Sequence, residues 1–291
     1  MSVADLNRLI LSSGCFSGAS IGGWTTDPVV VVPIAIGLLL YACGVARLWH
    51  HAGFGRGASV AQVIFFALGW LCMAAALASP LHDLSRRLFS AHMIEHELVM
   101  TIAAPLLVLS RPLGPMLWAF PRTWRARVAA GSRLVAYMLG WDILSRPLVA
   151  TILHALAIWI WHVPIVFDAA LGSEAVHWLQ HLSFFVTAMF FWWSVLGVRQ
   201  RAGVAIAELF VTGMHTGALG VLLTLARQPM YAAQEVLARA YGADPLQDQQ
   251  IAGLIMWVPA GVVYVGAGLA IAALWISRSS RGRRTLHATS A

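Results

Sequence analysis

Two pairs of histidines have the spacing of metal ligands on a helix. His92 and His96 are four residues apart, and so are His177 and His181. Residues at positions i and i+4 lie on one face of an α-helix, with Cβ atoms about 5–6 Å apart. Each pair can therefore offer two imidazole nitrogens to one ion. Imidazole is a ligand for soft and borderline metals, which favours copper over magnesium or calcium.

Methionines continue the pattern of these pairs. Met100 follows His96 by four residues, Met93 adjoins His92, and Met256 lies in the last apolar segment. Thioether and imidazole ligands together are typical of copper sites. The alternative is that these methionines are ordinary packing residues, since methionine fills irregular gaps in hydrophobic cores.

Glu95 lies between the first two histidines, three residues after His92, so its carboxylate is expected close to the same helix face. A carboxylate there could bind the metal or orient an imidazole through a hydrogen bond. The alternative is an interfacial carboxylate paired with Arg86 or Arg87, because a lone carboxylate in a membrane helix is costly.

Two aspartates have a similar ambiguity. Asp83 is next to His82, and Asp248 comes directly before the last apolar segment. Either could be an accessory group of the metal site. An aspartate before a helix is, however, first expected to cap it.

The composition excludes a soluble protein. Apolar residues make up 59 % of the 291 residues and charged residues only 11 %, against about 25 % charged in a soluble domain. The mean hydropathy is +0.76. All 19 basic residues are arginines, and they lie mostly between long apolar runs. This placement indicates membrane topology and lipid contact, and we expect no nucleic-acid partner.

Seven segments are apolar over about 20 residues, the length of a membrane span. Lipid offers the backbone no hydrogen-bond partners, so segments of this length are helices. We predict an all-α integral membrane protein, a bundle of seven transmembrane helices. Six spans, with the third segment in the interface, is the alternative. The predicted spans are about 29–48, 60–79, 90–110, 147–165, 178–197, 204–225 and 251–276.

The arginines predict the orientation of the chain. With the N-terminus outside, fourteen of the 19 arginines face the cytoplasm, as the positive-inside rule requires. The organisation is then an extracytoplasmic tail (1–28), a membrane domain (29–277) and a basic cytoplasmic tail (278–291). The connection 111–146 is expected to hold an interfacial amphipathic helix, and 226–250 a short outer helix.

In this topology six histidines fall at one depth, at the outer ends of four spans. We predict a metal site built from the two spaced pairs, completed by His82 or His162. His154 and His215 lie near the middle of the membrane and are expected to be structural. The six candidate ligands are His82, His92, His96, His162, His177 and His181.

Four stretches resemble the signature of a known family. They are Ala78–Asp83, Ser90–Leu109, which includes His92-Met-Ile-Glu-His96, Trp178–Phe185 and Asp248–Pro259. In this order, over roughly residues 30–275, the chain resembles the polytopic CtaG family of cytochrome c oxidase assembly factors. The resemblance implies a seven-span protein of the bacterial inner membrane that supports maturation of a haem–copper oxidase, with a supposed role for copper.

The resulting hypothesis is an assembly factor, without catalytic activity, that accepts copper at the outer leaflet and delivers it to an oxidase subunit. A periplasmic copper donor and the lipid bilayer are the other expected partners. Two alternatives stay open. Histidines on several helices could ligate haem in a redox protein, and the histidines near mid-membrane could serve a transporter.

Overall fold

The computed structural model describes residues 20–21, 23–197 and 201–289, with side chains described for 23–197 and 201–279. Most of the predicted extracytoplasmic tail, residues 1–19 and 22, lies outside the described residues. The described chain begins with a small antiparallel hairpin of two strands, β1 (Ser20–Ile21) and β2 (Trp24–Thr25), with Ser20 opposite Thr25. The regular elements that follow among the described residues are all helices.

The helices form one bundle around two hydrophobic clusters. In chain order they are α1 (Pro28–Ala52), α2 (Val60–Leu77), α3 (Pro80–Ser85), α4 (Phe89–Glu97), the π-helical segment π1 (Leu98–Ala103), α5 (Ala104–Ser110), α6 (Leu113–Leu117), α7 (Arg122–Met138), α8 (Trp141–Leu144), α9 (Pro147–Trp161), α10 (Pro164–Gly172), α11 (Glu174–Leu196), α12 (Ala202–Thr224), α13 (Ala232–Tyr241) and α14 (Pro245–Thr289).

Among the described residues, six helical segments are long and apolar enough to cross a membrane. They are α1, α2, the continuous run Phe89–Ser110, α11, α12 and α14. The bent pair of α9 and α10, counted as one span, brings the number to seven. The prediction of an all-α membrane bundle is confirmed. Phe89–Ser110 is the most buried of these segments, which argues against the alternative that placed it in the interface.

The fourth span differs from the prediction of one helix over 147–165. Helix α9 ends at Trp161, and α10 leaves it at an angle of 75°. The cause is local, because Pro164 disfavours the helical conformation of the residue before it. Val163 accordingly has φ −67° and ψ 126°. The 15 residues of α9 reach only about 22 Å.

The third span contains an irregularity that the sequence prediction omitted. In π1 the amide of Ala104 donates to the carbonyl of Val99, five residues earlier. Pro105 follows and has no amide to donate. A π segment changes the phase of a helix and is often found near functional sites. Side chains before and after it therefore point in directions that an α-helical count does not give.

Two connections and the last helix also extend the prediction. The connection 111–146 contains α7, which buries none of its side chains, between the short helices α6 and α8, and the connection 226–250 contains α13. Helix α14 begins at Pro245, before the predicted start at 251, and continues through most of the segment predicted as a cytoplasmic tail.

Helices α12 and α14 touch through glycines. A Cβ atom at Gly253 would lie 2.5 Å from Thr224 Oγ1 and 2.6 Å from the carbonyl oxygen of Gly220. At Gly261, farther along α14, a Cβ atom would meet nothing within 4 Å. Small residues at membrane helix interfaces allow this close backbone approach.

We expect Gly253→Ala to lower the stability of the purified protein by about 1–3 kcal/mol, because the added methyl overpacks a rigid contact. Gly261→Ala is the matched control on the same helix and should be neutral or slightly stabilising. Thermal unfolding in detergent measures both. Equal melting temperatures for the two variants would contradict the close contact.

The arginine distribution further predicts that the end of α14 faces the cytoplasm. Green fluorescent protein fused after residue 291 should then fluoresce, and alkaline phosphatase at the same position should be inactive. The opposite pattern would reverse the orientation of every span.

Candidate metal centre

Side chains from three helices converge in one buried cluster, called here the His/Glu cluster. None of its six members is more than 5 % exposed. Helix α3 contributes one of them, α4 three and α11 two. The members are His82, His92, Glu95, His96, His177 and His181.

The predicted i, i+4 pairs are in direct contact. His92 Nε2 lies 2.7 Å from His96 Nε2, and His177 Nε2 lies 3.2 Å from His181 Nε2. The two pairs also face each other across the α4–α11 interface, with ring centroids 5.7 Å apart for His92 and His177 and 4.9 Å apart for His96 and His181. The contact within each pair follows from its spacing along one helix, and the fold brings the two helices together.

Glu95 links the pairs to α3. Its Oε1 lies 2.6 Å from His82 Nδ1 and 3.8 Å from His181 Nε2. The alternative pairing of Glu95 with Arg86 is wrong, since Arg86 lies 3.8 Å from Glu174. Glu95 is fully buried, so its charge is compensated by imidazoles rather than by the lipid interface.

The donor set fits a metal ion. Two nitrogens bound at about 2.0 Å in a tetrahedral site lie about 3.3 Å apart, close to the 3.2 Å between His177 and His181. The ligand atoms of His82, Glu95 and His181 lie within 4.8 Å of one another. Buried ligand atoms also have no hydrogen-bond partner among the described residues, and an ion could use them after ring rotation. They are the Nδ1 atoms of His92, His96 and His181 and Oε2 of Glu95.

His162 lies near the two α4 histidines, but among the described residues it makes no ring contact with the cluster. It occupies the break between α9 and α10, where its Nδ1 lies 2.7 Å from the carbonyl oxygen of Ile158. Its own carbonyl accepts a hydrogen bond from the Tyr231 hydroxyl at 3.0 Å. Of the two histidines proposed to complete the site, the structure brings His82 to it.

Asp83 is not part of the cluster either. Its side chain is 54 % exposed and pairs with Arg87, four residues later, at 3.2 Å. Because Arg87 pairs with Asp83, it is not the partner of Glu95 that the sequence left as an alternative. Asp83 is therefore next to His82 in the sequence, but its side chain points away from the cluster.

Asp248 holds the start of α4. It accepts hydrogen bonds from the backbone amides of Phe89 at 2.6 Å and Ser90 at 3.1 Å, and from the Ser90 hydroxyl. The predicted capping role is therefore observed, but on α4 rather than on the helix that contains Asp248. This contact fixes the first turn of the helix that presents His92 and His96.

The three predicted methionine ligands are core residues. Met93, Met100 and Met256 are each at most 4 % exposed and belong to the larger hydrophobic cluster. The indole of Trp192 donates to the carbonyl of Met100 at 2.8 Å. Their packing matches the alternative that the sequence left open.

An aromatic lid covers His92. Phe89, Phe167 and Tyr231 contact one another with centroid distances of 4.6–5.0 Å, and Phe167 meets His92 edge-on at 5.2 Å. Burial raises the pKa of the Tyr231 hydroxyl, so it stays a donor to the carbonyl of His162. The lid covers His92, which is fully buried.

This lid is only partly foreseeable from the sequence. Phe89 was detectable, because it precedes His92 by three residues on one helix. Phe167 and Tyr231 were not, since the bend before α10 and the placement of α13 bring them there. Helix α13 is fastened by the amide of Ala233, which donates to Asp168 Oδ1 at 3.2 Å.

A second buried polar group lies deeper in the bundle. Glu208 on α12 accepts hydrogen bonds from Ser194 at 2.7 Å and Thr151 at 3.3 Å. His154, expected to be structural, lies 3.1 Å from Thr187 Oγ1. No local spacing in the sequence singles out Glu208 as a member of a polar group.

The fold and cluster define a polytopic α-helical membrane protein with a buried, imidazole-rich site. The family model of the cytochrome c oxidase caa3 assembly factor (Caa3_CtaG) matches residues 39–278. The chain belongs to this family of oxidase assembly factors, as its resemblance implied. A search among curated proteins and a search among solved structures give no match.

We expect Asp248→Ala to destabilise α4 by about 1–3 kcal/mol, since it leaves buried amides without an acceptor. Hydrogen exchange should accelerate at residues 89–96, and Asp248→Asn should restore part of the protection. Asp244→Ala is the control, because Asp244 caps only the exposed start of α14 through the amide of Gln247. Equal exchange at 89–96 in the two alanine variants would rule out the capping role.

Proposed function

We propose that this protein binds copper at the His/Glu cluster and delivers it to a subunit of a haem–copper oxidase. The observation that supports this is the convergence of five imidazoles and one carboxylate, from three helices, in a buried cluster. Buried ionisable groups in membrane helices are costly and are retained for function.

Copper is the ion that these ligands favour and that a haem–copper oxidase contains. Among divalent ions bound by nitrogen and oxygen ligands, copper binds most tightly. The two α4 histidines, the two α11 histidines and His82 would hold it, with Glu95 as ligand or as the acceptor that orients His82. The bound ion would be the cargo.

The arrangement suits transfer as well as binding. Six groups are more than the four that a tetrahedral ion needs, so one ligand can be replaced while others still hold the ion. Metal binding also depends on deprotonated ligands, so copper would compete with protons for these imidazoles.

The setting follows from the family and from the predicted orientation. The cluster lies at the end of the bundle where α4 and α11 begin, which the arginine distribution assigns to the periplasmic side of a bacterial plasma membrane. Copper would enter there from a periplasmic donor. An oxidase subunit in the same membrane would receive it, and the protein would act as an assembly factor rather than as an enzyme.

The cluster favours copper over haem. Axial haem ligands must stand on opposite sides of the iron, with the macrocycle between them. Here the imidazoles contact each other directly, both within each helix and across the interface. His154, near the middle of the membrane, is hydrogen-bonded to Thr187. This structural contact gives no support to a transporter.

We expect purified wild-type protein to retain copper stoichiometrically after loading with copper(II), the oxidation state to which the affinity order of divalent ions applies. The double variant His92→Ala/His96→Ala should bind it at least about 100-fold more weakly, because two ligands are lost. Metal analysis with an optical spectrum measures this. The control is His50→Ala/His51→Ala, which removes two exposed histidines at the far end of α1. Copper retained by the cluster variant, or a Soret band in the wild type, would overturn the proposal.

In cells, we expect His96→Ala to abolish oxidase maturation while the amount of the protein in the membrane is unchanged. The copper content and activity of the oxidase measure maturation, and immunoblotting measures the assembly factor. Normal oxidase copper in this variant would show that delivery does not pass through His96.

A further inference from the structure

A cavity of about 340 Å³ opens beside the His/Glu cluster, between α1, α2, π1 and α11. It is a space separate from the lid above His92. Small-molecule sites in proteins have volumes of about 300–1,000 Å³ and are mostly apolar with a few polar groups. This cavity has both properties.

The entrance of the cavity faces the bilayer. Val29 and Leu182 line it and are 61 % and 59 % exposed. Both belong to membrane-spanning helices, so in the membrane these exposed side chains contact lipid. A molecule that enters this way must be soluble in the hydrocarbon region.

The walls are flat and aromatic. Trp70, Trp178 and Phe185 line the cavity. The indole N–H of Trp70 donates to the carbonyl of Ile34 at 2.9 Å, which fixes the ring as a wall. Trp178 is fixed by stacking on His82, with centroids 5.6 Å apart. Such surfaces favour a planar ring in an offset stack.

One polar side chain lines the cavity, His181, and it also belongs to the cluster. It is 4 % exposed, and its Nε2 is taken up by His177. Its Nδ1 is buried and has no hydrogen-bond partner among the described residues, so the ring would have to turn toward the cavity to present this atom to a ligand. A buried polar atom without a partner is unfavourable, and a carbonyl or hydroxyl group of a ligand could provide the partner.

We propose that this cavity binds the head group of an isoprenoid quinone from the membrane. A quinone combines the three required properties, which are lipid solubility, a planar ring and oxygen atoms at its edge. The ring would lie among Trp70, Trp178 and Phe185 with one oxygen bonded to His181, and the tail would leave between α1 and α11. A lipid acyl chain matches the apolar walls, but it has no group that can form a hydrogen bond with the imidazole.

The test uses the full-length protein, free of metal, in phosphatidylcholine nanodiscs. A photoreactive azidoquinone with a short isoprenoid tail is the probe, and mass spectrometry locates the labelled peptides. We expect labelling within 29–34, 70–77 or 178–185, with competition by unlabelled quinone. Because no metal is present, this result is independent of the copper proposal.

Variants separate the cavity from the rest of the lipid-facing surface. Ile34→Trp fills the cavity from α1 and should reduce labelling by about tenfold or more. Ile36→Trp is the matched control, on the same helix but 51 % exposed and outside the cavity. Leu182→Trp repeats the test from α11, and His181→Phe removes the nitrogen while keeping a ring.

Two results would overturn the proposal. Labelling spread evenly over the lipid-facing residues, and unchanged in Ile34→Trp and Leu182→Trp, would show that no quinone site exists. Equal competition by a fatty acid without a ring would show that the cavity holds acyl chains.

Discussion

The pairing of Glu95 with His82 is the interaction on which the site depends. A carboxylate inside a membrane bundle is strongly unfavourable unless charged or polar groups compensate it. Glu95 is fully buried, and its Oε1 lies 2.6 Å from the His82 imidazole. This contact ties the short helix α3 to α4. It also brings His82 to the α11 histidines, with ring centroids 5.8–6.0 Å apart.

Departures from regular helices surround this interaction. Helix α3 interrupts the path from α2 to α4, π1 follows Glu97 directly, and the 75° bend after Trp161 places Phe167 over His92. Asp248, more than 150 residues away in sequence, caps α4. Irregular backbone within a membrane protein occurs where protein rather than lipid surrounds it, and here it shapes and covers the cluster.

The predictions succeeded where a local pattern was sufficient. Apolar length predicted the spans, and the i, i+4 spacing predicted the contacts of His92 with His96 and His177 with His181. The prediction for Asp83 was wrong, because Asp83 pairs with Arg87 instead. The fourth span was predicted as one straight helix from its apolar length, although Pro164 indicates a bend at this point. The predicted methionine ligands pack as core residues because an apolar side chain in a bundle is satisfied by packing alone.

The sequence by itself determined the helical membrane fold, because lipid leaves a long apolar segment no other way to satisfy its backbone. It also determined which histidines share a helix face and the family to which the chain belongs. Only the tertiary structure decided that His82 joins the cluster while His162 bonds to Tyr231, that Glu95 faces imidazoles rather than arginines, and that Asp248 caps a distant helix. These outcomes depend on how separate helices pack and rotate against one another, which no spacing within a single helix records.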